Sequence, residues 1–441
     1  MSEHKRVSLE EINQSVAVPD VYQSAFWQKF LAYSGPGALV AVGYMDPGNW
    51  LTSLAGGSQF QYQLLSVLAL AILVAMFMQS LAIKLGVVTR QDLAQAIATT
   101  LPRPVRYGAW ILNEVAMMAT DMTGVVGTAL ALRMLFHLPL LFGILLTIGD
   151  VLVVLVFLRF GIRRVEVIVL TAILTVGVIF GLEVARAHVP LGAVFSGFVP
   201  SNLLLKNHQA LVLGLGILGA TIMPHNLYLH SSLAQSRRYD AHDPLQVRET
   251  LRFANWDSNV HLVAAFIINA LLLVLGGSLF FGHTQALASL QTVFRGLQSS
   301  HIVGALASPL MGWLFAVALL ITGLISSITS TLAGQIVMEG YLHIRLPLWQ
   351  RRLLTRCVTL IPILLLGFLV GFNDQAFENL IIYAQVALSI ALPFTMLPLV
   401  ILTSNHHLMG KHVNSKFVAG LGFTLALIIS GLNIDLIINL F

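Results

Sequence analysis

Two hydrophobic runs, each long enough to cross a bilayer, are interrupted near their middles by Asp46-Pro47-Gly48-Asn49 and by Met223-Pro224-His225-Asn226. The interruptions superpose without a gap: Met223 falls on Asp46, Pro224 on Pro47, His225 on Gly48 and Asn226 on Asn49. A proline within a helix removes one backbone donor and crowds the carbonyl four residues earlier. Lipid cannot satisfy a freed carbonyl, so a break survives at membrane depth only where it faces protein or a water-lined cavity. Two breaks at matching points of two halves predict a pair of discontinuous helices with a transported substrate held between them.

The remainder of the chain is written for the same solvent. Hydrophobic residues make up 57% and charged residues only 10%, against about 25% charged in soluble domains, whose surfaces must be wetted. The formal charge of +5 does not point to nucleic acid, because the basic residues lie in scattered pairs between apolar runs without interleaved aromatics. Cys357 is the only cysteine, which excludes a disulfide framework and a thiolate metal cluster. Residues 1–33 are expected to form a polar cytoplasmic tail; Glu3, Glu10, Glu11 and Asp20 stand where a cleavable signal would need an apolar core.

Runs of about twenty apolar residues predict eleven membrane spans, at 34–58, 62–86, 105–134, 139–159, 164–188, 209–234, 256–281, 308–340, 352–371, 377–402 and 417–440. With the N-terminus inside, every Lys and Arg except Arg133, Arg186, Lys206 and Arg295 falls in or beside a cytoplasmic segment. Basic residues near span ends resist translocation, so the expected topology is N-terminus cytoplasmic and C-terminus extracellular. Residues 34–188 then hold spans one to five, residues 209–402 hold spans six to ten, and 417–441 add an eleventh. Five is odd, so the second half enters from the opposite side, and the two halves form an inverted repeat whose first helices are the broken ones, spans one and six.

At the first break Pro47 and Gly48 interrupt the helix, while Asp46 and Asn49 supply a carboxylate and an amide oxygen. A carboxylate at membrane depth is costly unless paired or hydrated; its structural alternative is to cap the second half-helix. At the second break Met223 takes the place of Asp46, with the small residue Ala220 aligned to Gly43. A methionine in an apolar helix is ordinarily core filler, but on a broken backbone opposite Asp46 it offers a thioether to a bound ion. One carboxylate, amide and carbonyl oxygens and one sulfur suit a divalent first-row metal. Magnesium and calcium gain nothing from sulfur, which leaves manganese or iron.

With these residues in place the chain resembles the Nramp family of proton-coupled divalent metal ion transporters. The resemblance rests on Asp46-Pro47-Gly48-Asn49, on the run from Ala220 through Met223-Pro224-His225-Asn226 to Ser231, on Ala119-Thr120-Asp121, and on Gly334-Gln335-Ile336-Val337-Met338-Glu339-Gly340. It covers nearly the whole chain. It implies an all-α polytopic membrane protein of the LeuT type, a 5+5 inverted repeat with broken helices one and six. It implies metal coordination by Asp46, Asn49, the Ala220 carbonyl and Met223, with Gln385 in Tyr383-Ala384-Gln385-Val386 able to join them; a helix–helix hydrogen bond is the other reading of Gln385. It implies that Asp46, His225, Glu114 and Asp121 handle protons, the last two lying about two helical turns apart on one face of span three. Those acids would alternatively form a buried ion-pair network with arginines such as Arg352 or Arg356.

Two departures stand out. Gly124 occupies the position, three after Asp121, where the family pattern carries a glutamate, and Gly323-Leu324-Ile325 replaces a polar pair in span eight. The first puts strict proton coupling in question. His406, His407 and His412 fall in the loop before span eleven, Asp257 and Asn269 either line a vestibule or tie helices together, and Asp150 and Asp435 have no assigned role. The expected function is therefore import of Mn2+ or Fe2+ with H+ as co-substrate across the plasma membrane, with no permanently bound cofactor, no nucleic acid and no obligate protein partner. The alternatives are an uncoupled metal carrier or channel, and less readily an organic-cation or amino-acid transporter. No His-Glu-x-x-His pattern supports an intramembrane zinc enzyme.

Overall fold

The computed structural model describes residues 9, 12–20, 22–150, 152, 156, 161–187, 189–282, 289–299, 308–342 and 346–440. Within them the chain is helical, and the breaks fall where the prolines place them. Span one is two helices, Pro36–Gly43 and Pro47–Phe60, and span six is His208–Ile222 followed by Pro224–Leu233. The other spans are Leu65–Thr89, Arg103–Phe136, Ile162–Arg186, Pro244–Phe280, Pro309–Leu342, Leu348–Val370 and Lys416–Leu440. The predicted fourth span begins as Leu140–Leu146 with a 3-10 turn at Thr147–Gly149; most of residues 151–160 lies outside the described residues.

Span ten differs from the expectation of one continuous helix. It runs Asp374–Ala391, turns at Leu392 and resumes as Pro393–Thr403, because Pro393 has no N–H to continue the ladder. Among the described residues nine helical segments are long and apolar enough to cross a membrane. Span one is absent from that number because its halves are short, and span four because it is only partly described.

The broken helices form the centre. Span seven lies along both halves of span one, span ten packs on the first half of span six, and span eight lies along span three. The first half of span six and both halves of span one are buried over almost their whole length. Spans nine and eleven sit at the periphery, where Leu369 and Phe417 are 81% and 79% exposed, as side chains that face lipid must be. Trp50 locks the second half of span one into this core. Its indole donates to the Met45 carbonyl at 2.9 Å, and its ring meets Phe180 edge-on at 4.7 Å and Phe315 at 5.5 Å, contacts worth about 0.5–1.5 kcal/mol per pair beyond area burial.

The N-terminal segment is not the free tail that its polarity suggests. Residues Phe26–Tyr33 form a helix, Lys29 pairs with Glu249 at 3.2 Å, and Val16 forms an isolated parallel bridge with Arg237 beyond span six. Behind it, buried Arg237 holds Glu166 at 2.7 Å and donates to the carbonyls of Ala32 and Ser34. Gly35 opens span one with φ +142°, and Glu166 lies where its side chain would be, so only glycine fits there. These contacts close the end of the bundle that carries the N-terminus.

Candidate metal-transport site

Each break must dispose of the carbonyl that its proline strands. Pro47 cannot donate to Gly43, and there the Asn49 amide takes over at 3.3 Å. Asn269 of span seven donates to the Tyr44 carbonyl at 2.6 Å, so Asn269 ties helices together at the break itself. Pro224 likewise cannot donate to the Ala220 carbonyl. The amide of Asn226, the counterpart of Asn49, instead lies 3.6 Å from the Met223 sulfur. The symmetry between the halves therefore ends at the chemistry: one break satisfies its own carbonyl, and among the described residues no equivalent side-chain donor is directed at the other.

Asp46 is fully buried and caps the second half of span one, accepting from the Asn49 N–H at 2.8 Å and from its side-chain amide at 2.9 Å. Its other oxygen accepts from Thr123 of span three at 3.2 Å. The capping role is thus real, and it fixes the carboxylate at the gap between half-helices. The two breaks touch: a side chain on Gly43 would meet the Asn226 amide nitrogen at 2.4 Å. Gln385 closes the third side, for a side chain on Gly48 would meet its amide nitrogen at 1.6 Å. Span three completes the enclosure, with Thr120 3.5 Å from His225 Nδ1 and Gly127 against Pro47.

Asp46, Asn49, Ala220, Met223 and Gln385 thus come from three elements that converge on the paired breaks. All are buried. The oxygens of Gln385 and Asn226 and the Thr221 hydroxyl are buried without a hydrogen-bond partner, a cost that protein interiors rarely carry and that a bound cation coordinated by such oxygens removes. The Gln385 side chain lies against Asp46, within its electrostatic reach, and its amide oxygen has no hydrogen-bond partner among the described residues. Among the described residues no group of three or more His, Cys, Asp or Glu is placed to hold a metal. Between the two breaks the carboxylate is that of Asp46, and the groups around it are neutral.

Glu114 and Asp121 lie on one face of span three, and both are held by arginines. Arg351 meets Glu114 at 2.9 Å and Arg352 meets Asp121 at 2.6 Å; the first of these partners was read from sequence only as a cytoplasmic basic residue. Asp150, to which the sequence assigned no role, joins Arg352 at 2.8 Å and also contacts Arg356. Asp257 is a tie: it accepts from the Gly35 and Gly37 N–H groups at 3.1 and 2.6 Å and pairs with His261. A polar chain from the Tyr44 hydroxyl through Gln79 to His230 was also missed. Thr123 lies three residues after Thr120, a helical spacing that could have flagged it, whereas His230, although inside the quoted run, is five residues from His225 and off its helical face. His406 and His407 are exposed on a short helix, His406–Met409.

An inverted pair of five-span units with facing discontinuous helices, closed at one end and holding a carboxylate between the breaks, defines a membrane transporter. A family model described as natural resistance-associated macrophage protein-like matches residues 37–439, and the chain belongs to the Nramp family. It is 46% identical over 432 residues to the divalent metal cation transporter MntH of Levilactobacillus brevis, covering 98% of this chain and 94% of that one. It is 47% identical over 435 residues to the MntH of Staphylococcus saprophyticus, covering 98% and 97%. The crystal structure of an Eremococcus coleocola manganese transporter superposes with a TM-score of 0.90 at 41% identity, covering 97% of this chain and 90% of that chain. Mhp1, a nucleobase-cation-symport-1 family transporter, superposes at 0.55 with 16% identity, covering 96% and 94%, and shares the fold alone.

Proposed function

We propose that this protein imports divalent transition metal ions, Mn2+ or Fe2+, across the plasma membrane in symport with protons, by alternating access. The observation that carries this reading is the convergence of Asp46, Met223 and the unpartnered oxygen of Gln385 on two facing helix breaks. A single formal charge with neutral oxygens and a thioether selects a divalent first-row metal over calcium or magnesium. The relatives named as divalent metal cation transporters support the substrate class. In this reading Asp46, Asn49, the Ala220 carbonyl, Met223 and Gln385 hold the ion. Asp46, His225, Glu114 and Asp121 move the proton.

Residues 34–188 and 209–402 act as the two repeats, with 417–441 as an accessory span. The N-terminus lies in the cytoplasm and the C-terminus outside, so the Arg237–Glu166 lock closes the cytoplasmic end, and metal reaches Asp46 from the outer side. Opening inward then requires the first half of span one to leave Glu166, Arg237 and Asp257. No nucleic acid, bound cofactor or obligate protein partner is needed.

Manganese uptake into proteoliposomes carrying an internal pH dye tests the whole reading. Saturable uptake with internal acidification is expected. Saturable uptake without acidification identifies an uncoupled carrier, and non-saturating, voltage-driven flux identifies a channel; either result overturns the symport reading.

A further inference from the structure

Span five presents one continuous stripe to the outside of the bundle. Arg164, Val167, Thr171 and Thr175 follow one another at helical spacing, and all four are exposed. Thr171 donates to the Val167 carbonyl at 2.9 Å and Thr175 to the Thr171 carbonyl at 2.8 Å, so both hydroxyl protons are spent on their own helix. Opposite stand Ile321, Leu324 and Ile328 of span eight, the second of them from the Gly323-Leu324-Ile325 run that departs from the family pattern. Between the two spans lies an apolar groove of about 410 Å³, and no acidic side chain lines it.

From Val167 to Thr175 span five rises about 12 Å. The hydrocarbon core of a bilayer is about 30 Å thick, so the groove lies within one leaflet. Its end is marked by two arginines that behave differently. Arg163 turns towards the protein, donating to the Leu31 and Ser34 carbonyls and pairing with Glu166. Arg164, one turn before Val167, is exposed and has no side-chain hydrogen bond or ion pair among the described residues. The groove therefore opens beside an unpaired guanidinium, in the leaflet at the end of the bundle that carries the N-terminal helix.

At this depth a groove is filled by lipid or by another helix. A helix about 10 Å across needs roughly 900 Å³ over 12 Å of length, more than twice what the groove holds, whereas an acyl chain is slimmer. A guanidinium at the interface matches a phosphate in geometry and charge. A zwitterionic headgroup adds a cation for which the groove offers no carboxylate; an anionic one does not. We propose that the groove between spans five and eight binds one phospholipid of net negative headgroup, its acyl chain between Thr171 and Leu324 and its phosphate at Arg164. The turn that carries Arg164 also carries Glu166, which holds Arg237 on the buried side, so the lipid anchors the same turn of span five as the lock at the N-terminal end.

The test offers phosphatidylglycerol and phosphatidylcholine of matched acyl chains, in equal amounts, to the delipidated full chain and counts the retained lipids by native mass spectrometry. The unaltered protein is expected to retain one lipid and to favour phosphatidylglycerol roughly fivefold, the share of one arginine near an anionic headgroup. Arg164→Gln should keep a lipid but bring the ratio close to one. Thr171→Trp and Leu324→Trp fill the groove from its two walls, and each should lose the retained lipid; if one of them is not monodisperse, the other decides. Equal retention of the two lipids by the unaltered protein, an unchanged preference in Arg164→Gln, or undiminished retention in the tryptophan variants overturns the proposal. A dimer that Thr171→Trp separates into monomers places a second copy in the groove and overturns it as well.

Discussion

Substituting Gly48 with alanine isolates the part played by Gln385. The new methyl carbon would sit 1.6 Å from the Gln385 amide nitrogen, 2.5 Å from its amide carbon and 3.0 Å from Cγ. Non-bonded heavy atoms rest at roughly 3.5–4.0 Å, so the amide must retreat by about 2 Å. The glutamine is the far end of a flexible chain, and leaving its rotamer costs only about 0.5–1.5 kcal/mol. A metal ligand, however, tolerates displacement of only about 0.2 Å. Gly48→Ala should therefore fold normally and lose one neutral oxygen ligand, weakening manganese binding on the order of tenfold, or about 1.4 kcal/mol. Titration calorimetry on Gly48→Ala, Gln385→Ala and the double variant completes a cycle. Because both changes remove the same ligand, the double variant should bind no more weakly than either single one. Manganese affinity unchanged in Gly48→Ala, or fully additive losses, would refute Gln385 as a ligand. Gly219→Ala gives the contrasting case. Its methyl would lie 2.2 Å from the Gln385 carbonyl oxygen and 2.6 Å from the Ser389 nitrogen, which is backbone and cannot rotate aside, so it should cost about 1–3 kcal/mol of stability, visible as a lowered melting temperature.

Asp46→Asn should abolish manganese binding while leaving the protein folded, because asparagine can still cap the half-helix but the one formal charge facing the cation is gone; near-normal affinity by calorimetry would move the site elsewhere. Met223→Ala should narrow the discrimination between manganese and calcium rather than stop transport, since a thioether serves only the softer ion, and competition uptake that still ignores excess calcium would remove sulfur from the selectivity account. Arg237→Gln leaves Glu166 buried without its nearest cation, so it should cost about 3–5 kcal/mol of the closed state, and a double variant with Glu166→Gln should recover part of it; thermal unfolding that does not move would show that this pair does not hold the N-terminal end shut.

The two central breaks were legible because proline chemistry is local: Pro47 and Pro224 each withhold a donor wherever they stand. The third interruption, at Leu392, was not, although Pro393 carries the same signal. Pro362 and Pro398 lie inside helices that continue through them, so a proline in an apolar run does not by itself say whether neighbours will hold the helix together. The proposed ligands Asp46 and Met223 stood out for a related reason, since they sit on the breaks themselves, and Gln385 came only through the family resemblance. Of the partners distant in sequence, the pairing of Asp121 with Arg352 and Arg356 was among the expected alternatives; the others were not readable. Glu114 and Asp121 share a helical face, which spacing gave, but nothing in the spacing pairs Asp121 with Asp150, or Glu166 with Arg237. Those pairings depend on which spans pack together. The docking of residues 12–20 and 22–33 was hidden because a polar segment reads the same whether it is solvated or laid against a polar protein surface.

The most direct measurement is anomalous diffraction from crystals grown with manganese and recorded at its absorption edge. A single strong peak between the two breaks, in contact with Asp46, the Ala220 carbonyl, the Met223 sulfur and Gln385, is the predicted result. A peak at the Asp121–Asp150 cluster or at another carboxylate, with none beside Asp46, would contradict the account.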